Sequence, residues 1–118
     1  MKVLIYGASI NPQRYAYLAA HMLHQKGHEL VLVGIKKGEL LGASIRPNDW
    51  IEANVDTVTL YVGPQNQEGL LDYLRKLKPR RVIFNPGTEN EKLEKSLNEE
   101  GILTEEACTL VLLQTGQF

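Results

Sequence analysis

The feature that most constrains the fold is a short apolar run that ends at a glycine. Residues 3–6 predict a buried strand, and Gly7 follows it directly. A polar loop comes next, and we place the start of a helix at Asn11-Pro12, with asparagine as the cap. A strand, a glycine and a helix in this order build phosphate sites in open α/β folds. The glycine lets backbone amides approach an anion, and the helix N-terminus adds positive charge.

The rest of the chain continues the alternation of strands and helices. The apolar and turn patterns predict further strands at residues 29–33, 43–45, 57–62, 81–84 and 102–104. They predict helices over residues 12–26, 64–77, 89–100 and 107–113, and a single helical turn at 50–52. Thr88 and Glu91 match a capping box at the start of the third helix.

Strands separated by helices imply parallel pairing with right-handed crossovers. We therefore expect an α/β fold, a Rossmann-like doubly wound sheet, mainly parallel, of about five strands with helices on both faces. A length of 118 residues fits one domain over residues 1–118. The predicted core stripes of the helices are Ala16, Ala19, Ala20 and Leu23, then Leu70, Leu71, Leu74 and Leu77, then Leu93 and Leu97.

Charge and cysteine content limit the partners and the compartment. Thirteen Lys and Arg residues against fourteen Asp and Glu residues argue against a nucleic-acid or acidic-membrane surface. The sequence has no apolar run near a membrane span and no signal-peptide layout, and a single cysteine suits a reducing cytoplasm. We expect a cytoplasmic protein with a small-molecule ligand, either a monomer or a homodimer joined through the apolar segment 107–113.

Small residues follow the predicted strands, where ligands bind in doubly wound folds. They occur in Gly7-Ala8-Ser9, in the loop 34–37, in Gly63-Pro64 and in Asn85-Pro86-Gly87. Because the carboxyl ends of parallel strands meet at one edge of the sheet, these loops predict a binding crevice. Tyr61, at the end of its predicted strand, is a further candidate for contact with a ligand.

The first loop departs from the standard nucleotide motifs. It has one of the three glycines of the dinucleotide fingerprint, and no Gly-Lys-Ser/Thr of a P-loop follows. An NAD site wants an acid after the second strand, but this chain has Lys36-Lys37 there. Lysines suit a phosphorylated ribose, which leaves NADP, with its 2′-phosphate, and coenzyme A (CoA), with its 3′-phosphate.

Several motifs in order resemble the small CoA-binding proteins related to the CoA-binding domain of the succinyl-CoA synthetase α-subunit. The resemblance covers nearly the whole chain. Its motifs are Gly7-Ala8-Ser9 with Pro12, Arg14 and Tyr17, then Gly27-His28, Val33, Glu39-Leu40-Leu41-Gly42, residues 85–90 and the tail 107–118. Two departures are Ala16, where many members have serine, and Gly34-Ile35, where many have Asn-Pro.

The resemblance implies a role for each matching position. Gly7, Ala8 and Ser9 would hold the CoA pyrophosphate, and Pro12, Arg14 and Tyr17 would shape and charge that edge. The adenine and the phosphorylated ribose would lie against Val33, Ile35 and Lys36. The pantetheine arm would pass Val62 and Pro64, and the far wall would be Asn85, Pro86 and Gly87.

No catalytic or metal-binding residue can be named from the sequence. The synthetase's reaction needs a phosphorylated histidine on a second domain, and His21, His24 and His28 lie along or just after the first helix. We expect Cys108 to be a partly buried thiol and Ser9 to bond a phosphate. We therefore expect a protein that binds CoA or an acyl-CoA without catalysis of its own. Two alternatives are a small NADP-dependent or acyl-CoA-processing enzyme, and an interaction module that has lost its ligand.

Overall fold

A computed structural model describes residues 1–118, which form one sheet between two pairs of helices. The strands are β1 Lys2–Tyr6, β2 Glu29–Val33, β3 Glu39–Leu40, β4 Ala43–Arg46, β5 Thr57–Leu60, β6 Arg81–Phe84 and β7 Leu103–Glu106. The α-helices are α1 Tyr15–Gln25, α2 Leu70–Leu77, α3 Glu91–Glu99 and α4 Thr109–Gln114. None of the four helices combines the length and apolarity that a membrane span needs.

The sheet has the strand order β3-β4-β2-β1-β5-β6-β7, and β1 lies at its centre. All pairs are parallel except β3 with β4. The chain leaves β1 toward β2 on one side and returns to β5 on the other, so the switch point lies beside the end of β1. The predicted Rossmann-like, doubly wound fold is confirmed. The strand count is seven rather than about five, chiefly because β3 adds a two-residue antiparallel edge that the sequence pattern does not reveal.

Each face of the sheet carries one pair of helices, as expected. One face packs against α1 and α4, through small residues such as Ala16 and Ala20. The opposite face packs against α2 and α3, through Leu74 and Leu97. Every predicted stripe residue is buried apart from Leu71, which is partly buried against the same core. Successive strand residues point to opposite faces, so β1 supplies both cores.

The first helix begins later than the sequence predicts. The Asn11 side chain accepts a hydrogen bond from the Gln13 amide at 3.0 Å, and its carbonyl accepts one from Arg14 at 3.0 Å. These bonds close a separate turn, so the asparagine stabilises that turn instead of capping the helix. The helix α1 then starts at Tyr15.

Three other element boundaries differ from the predictions, and side-chain bonds explain the one at the start of α3. The Thr88 hydroxyl donates to the Asn85 carbonyl, and Asn90 caps α3 by accepting from the Leu93 amide at 3.1 Å. The predicted capping box at Thr88 is therefore wrong by two residues. The helix expected from Gly63-Pro64 is divided into a 3₁₀ turn, Pro64–Asn66, and α2. Residues 50–52 form no helical turn.

Gly34, just after β2, allows two loops to approach closely. A Cβ atom at Gly34 would lie 2.7 Å from the Ala8 carbonyl oxygen, a distance that real Cβ atoms essentially never show. Because the obstacle is backbone, relief requires movement of the loop after β1. The glycine therefore keeps the loops after β1 and β2 in contact.

We expect Gly34→Ala to lower the free energy of unfolding by about 1–3 kcal/mol, the usual cost of overpacking. The matched control is Gly63→Ala, whose Cβ would also lie 2.7 Å from a neighbour, but that neighbour is the flexible Gln65 side chain. Urea unfolding of both variants measures the difference. Equal stability of the two would contradict the backbone contact.

Candidate functional site

A cleft of about 560 Å³ opens at the carboxyl ends of the central strands. The loops after β1, β2, β5 and β6 supply its walls, together with the first residues of α1. Its lining residues are Gly7, Ala8, Ser9, Ile10, Asn11, Arg14, Tyr15, Ala16, Ile35, Lys36, Ile45, Tyr61, Gly63, Pro86, Gly87 and Thr88. The cleft therefore lies at the switch point, where doubly wound folds bind ligands.

The charges that line the cleft are all positive. Arg14 and Lys36 are exposed, and neither takes part in an ion pair. No Asp or Glu lines the cleft. Unpaired cations without a neighbouring carboxylate favour an anionic ligand.

The backbone amides of the first loop divide into used and free donors. Gly7 and Ala8 both donate to the Val33 carbonyl oxygen, at 2.8 and 2.9 Å, so these two amides are engaged within the protein. Four further lining residues have backbone amides without a partner in the protein, namely Ser9, Ile10, Tyr15 and Ala16. The last two belong to the first turn of α1, where free amides carry the positive end of the helix dipole.

Asn85 holds the opposite wall in place from below. Its side-chain amide donates to Thr59 and to the Leu60 carbonyl, both at 2.7 Å, and its side-chain oxygen accepts from the Thr109 amide at 2.8 Å. The residue is buried, and its own carbonyl accepts two bonds from Thr88. Asn85 therefore positions the wall without lining the cleft.

Tyr61 lines the cleft with a side chain whose hydroxyl is buried beside the Thr59 and Thr109 hydroxyls but makes no hydrogen bond of good geometry with them. The nearby hydroxyls of Thr59 and Thr109 bond to each other at 2.8 Å. Burial raises the pKa of Tyr61 to about 12, so its hydroxyl is protonated throughout the physiological range. An unpaired buried hydroxyl is uncommon and lowers stability.

Eight of the fourteen residues predicted to contact a ligand line the cleft. They are Gly7, Ala8, Ser9, Arg14, Ile35, Lys36, Pro86 and Gly87. The structure places the other six beside or below it. Pro12 and Pro64 are exposed, Tyr17 stacks on His21, Val33 and Asn85 are buried, and Val62 is half-buried. The roles of all fourteen in binding stay predictions.

Several lining residues were not among the predicted site residues. Ile10 and Asn11 follow Ser9 in the same loop and could have been found by continuing along it. Tyr15 and Ala16 line the cleft because α1 begins there. The sequence places the helix start three residues earlier, so neither residue was expected at this position. The position of Ile45 in the cleft depends on the parallel pairing of β4 with β2. No local signal identifies that pairing.

The histidines and Cys108 lie outside the lining of the cleft. His28 stacks on Phe118 with ring centroids 5.3 Å apart, and burial lowers its pKa. Cys108 is partly buried at the start of α4. The protein has no group of three or more His, Cys, Asp or Glu side chains arranged to hold a metal ion.

The sheet order defines a Rossmann-like α/β domain with a cationic cleft at its switch point. The model of a protein family described as a CoA-binding domain matches residues 1–114. The chain therefore belongs to this family of CoA-binding domains. No protein of curated function matches it.

Solved structures support the same fold. A crystal structure of an uncharacterized protein has 55% sequence identity and a TM-score of 0.96, with 99% of this chain and 97% of that chain covered. A protein from Thermus thermophilus has 23% identity and a TM-score of 0.87, with 99% and 90% covered. A hypothetical protein from Pyrococcus horikoshii OT3 has 25% identity and a TM-score of 0.83, with 97% and 81% covered.

We expect Tyr61→Phe to be neutral or to raise the free energy of unfolding by up to about 1 kcal/mol at pH 7, because it removes an unpaired hydroxyl. Since the folded pKa exceeds the ordinary value of 10.0, Tyr61 contributes stability below pH 10 that is lost as the pH rises toward 12. The full loss is about 3 kcal/mol for a shift of about two pKa units, and about 2 kcal/mol of it occurs by pH 11.5. The variant should lack this loss.

Urea unfolding between pH 7 and pH 11.5 measures both effects. Tyr15→Phe is the matched control, because Tyr15 is 71% exposed and makes no hydrogen bond. A loss of stability in Tyr61→Phe at pH 7 would show that the hydroxyl has a partner in the folded protein.

Proposed function

We propose that this protein binds CoA or an acyl-CoA in the cleft between the loops after β1, β2, β5 and β6. The observation that carries the proposal is the cleft's combination of free backbone amides, two unpaired cations and no carboxylate. CoA carries a pyrophosphate and a 3′-phosphate, and these groups need such donors. Membership of the CoA-binding family supports the choice of CoA over other phosphorylated ligands.

The free amides at the start of α1 are the proposed pyrophosphate donors. Ser9 and Ile10 offer amides from the loop, and Tyr15 and Ala16 offer them from the helix. Together with the Arg14 guanidinium, they supply charge-assisted hydrogen bonds to phosphate oxygens. This assignment refines the expectation for Gly7 and Ala8, whose amides are engaged and whose contribution is a close backbone wall.

The loop after β2 is the proposed seat of the adenosine 3′-phosphate. Ile35 is 87% exposed at the edge of the cleft and offers an apolar surface for adenine. Lys36 follows it and has no ion-pair partner in the protein. A lysine here can neutralise a ribose phosphate as a flexible point charge.

The wall formed by Tyr61, Gly63, Pro86 and Gly87 is the proposed path of the pantetheine arm. The four residues of this wall are uncharged, as is the arm, and the one carboxylate bonded to it is that of Glu89, which accepts from the Gly87 amide at 2.8 Å. No histidine, cysteine or carboxylate lines the cleft, so none is placed to act as a general base or a nucleophile at the thioester. These features favour binding over a reaction performed by this chain alone.

Calorimetry of the purified protein with CoA, acetyl-CoA, NADP and NAD tests the proposed function. We expect CoA and acetyl-CoA to bind with micromolar Kd. We expect no binding of NAD, because its adenosine ribose carries neither a 2′- nor a 3′-phosphate. Ligand at a hundred times its Kd should add about 2.7 kcal/mol to the free energy of unfolding. Tight NADP binding without CoA binding would contradict the proposal, and binding of none of the four would favour an interaction module.

The role of Lys36 predicts how a variant will discriminate between two ligands. Lys36→Ala should weaken CoA binding about tenfold or more, because it removes one charged contact worth about 1.5–3 kcal/mol. Binding of 3′-dephospho-CoA should not change, because that ligand lacks the phosphate. Lys37→Ala is the matched control, since Lys37 is an exposed neighbour that does not line the cleft. Equal losses for both ligands in Lys36→Ala would contradict the assignment.

A further inference from the structure

Gln67 is a buried polar residue that none of the proposed ligand contacts uses. It follows the 3₁₀ turn Pro64–Asn66, and its side chain is only 6% exposed. Glutamine is mostly found exposed in proteins, and burial of its amide is costly without hydrogen-bond partners. Its bonds therefore indicate what it does in the fold.

The Gln67 amide group joins the loop after β5 to the loop between β6 and α3. Its nitrogen Nε2 donates to the Val62 carbonyl at 3.0 Å and to the Thr88 carbonyl at 2.8 Å. Its oxygen Oε1 accepts from Asn90 Nδ2 at 2.8 Å. Both amide hydrogens are used, so the orientation of the group is determined by its partners.

These partners lie in the two loops that form this wall of the cleft. Val62 follows β5, Thr88 is the last lining residue of the loop after β6, and Asn90 caps α3. Asn85 holds the same loop through its carbonyl, which accepts from the Thr88 amide and hydroxyl. The Gln67 side chain and the Asn85 backbone carbonyl therefore both hold the wall 86–88 through Thr88.

We propose that Gln67 is a positioning residue that fixes the wall 86–88 against the loop after β5, and so preorganises the path of the pantetheine arm. This inference rests on the proposed function. A wall held in its bound position before the ligand arrives avoids the entropy cost of ordering it on binding. The nucleotide end of CoA is held by other segments, so loosening the wall affects the arm alone.

The test compares CoA with 3′-phosphoadenosine 5′-phosphate, which has the adenosine and the 3′-phosphate but lacks the arm. Gln67→Met keeps the length of the side chain and removes both donors. We expect CoA binding to weaken about tenfold, the usual size of one lost recognition contact. Binding of the fragment should stay within about twofold.

Two further variants keep the comparison interpretable. Gln25→Met is the matched control, because Gln25 is exposed at the end of α1 remote from the cleft. Asn90→Ser retains a good capping residue for α3 and removes the Nδ2 donor to Gln67. If Gln67→Met does not fold, Asn90→Ser tests the inference in its place. We expect Asn90→Ser to show the same selective loss of CoA binding.

The outcomes separate the inference from the proposed function. If the wild-type protein binds no CoA, the proposed function and this inference both fail. If the wild type binds CoA, but the folded variants bind it unchanged or lose CoA and the fragment equally, only the inference fails. A selective loss of CoA binding supports both.

Discussion

The structure of the site depends on one carbonyl oxygen, that of Val33 at the end of β2. It accepts hydrogen bonds from the amides of Gly7 and Ala8, and so draws the loop after β1 across the end of the neighbouring strand. Gly34 then allows the two loops to touch, since any side chain there would meet the Ala8 carbonyl. These two amides are used internally, whereas the amides of Ser9 and Ile10 have no partner in the protein, and the cleft forms beside them.

The two sides of the cleft differ in charge, because cationic side chains lie on one side and neutral amides hold the other. No Asp or Glu side chain that forms an ion pair lines the cleft. Examples are Asp56, which pairs with Arg80, and Glu100, which pairs with Arg75. Arg14 and Lys36 are thus left without internal partners. The opposite wall is held by neutral amides, Asn85 and Gln67, which satisfy buried carbonyls without the desolvation cost of a buried charge. A cationic edge of the cleft therefore faces a wall that neutral amides hold in place.

Much of the fold could be predicted because hydrophobic periodicity is local. The strand–helix alternation and the stripe of Ala16, Ala19, Ala20 and Leu23 are confirmed, since both depend on residues a few positions apart. The predicted helix starts near Asn11 and Thr88 are wrong. Each of these side chains makes its hydrogen bond within a separate turn instead of capping the helix. About half of the predicted site residues line the cleft. The lining also includes neighbours of the predicted residues along the first loop and helix, such as Ile10 and Tyr15, and Ile45, which only the pairing of β4 with β2 brings to the cleft.

The sequence by itself determined the class of fold, the loop that begins the site and the family to which the chain belongs. It did so through local patterns, namely an apolar strand ending at Gly7, lysines after the second strand and motifs in a fixed order. Tertiary structure alone decided which amides are free, where α1 begins and which buried amide holds the far wall. Those features depend on hydrogen bonds such as Gly7 to Val33 and Gln67 to Thr88, which join residues more than twenty positions apart. No local pattern encodes such bonds, because their geometry exists only after the strands have been placed side by side.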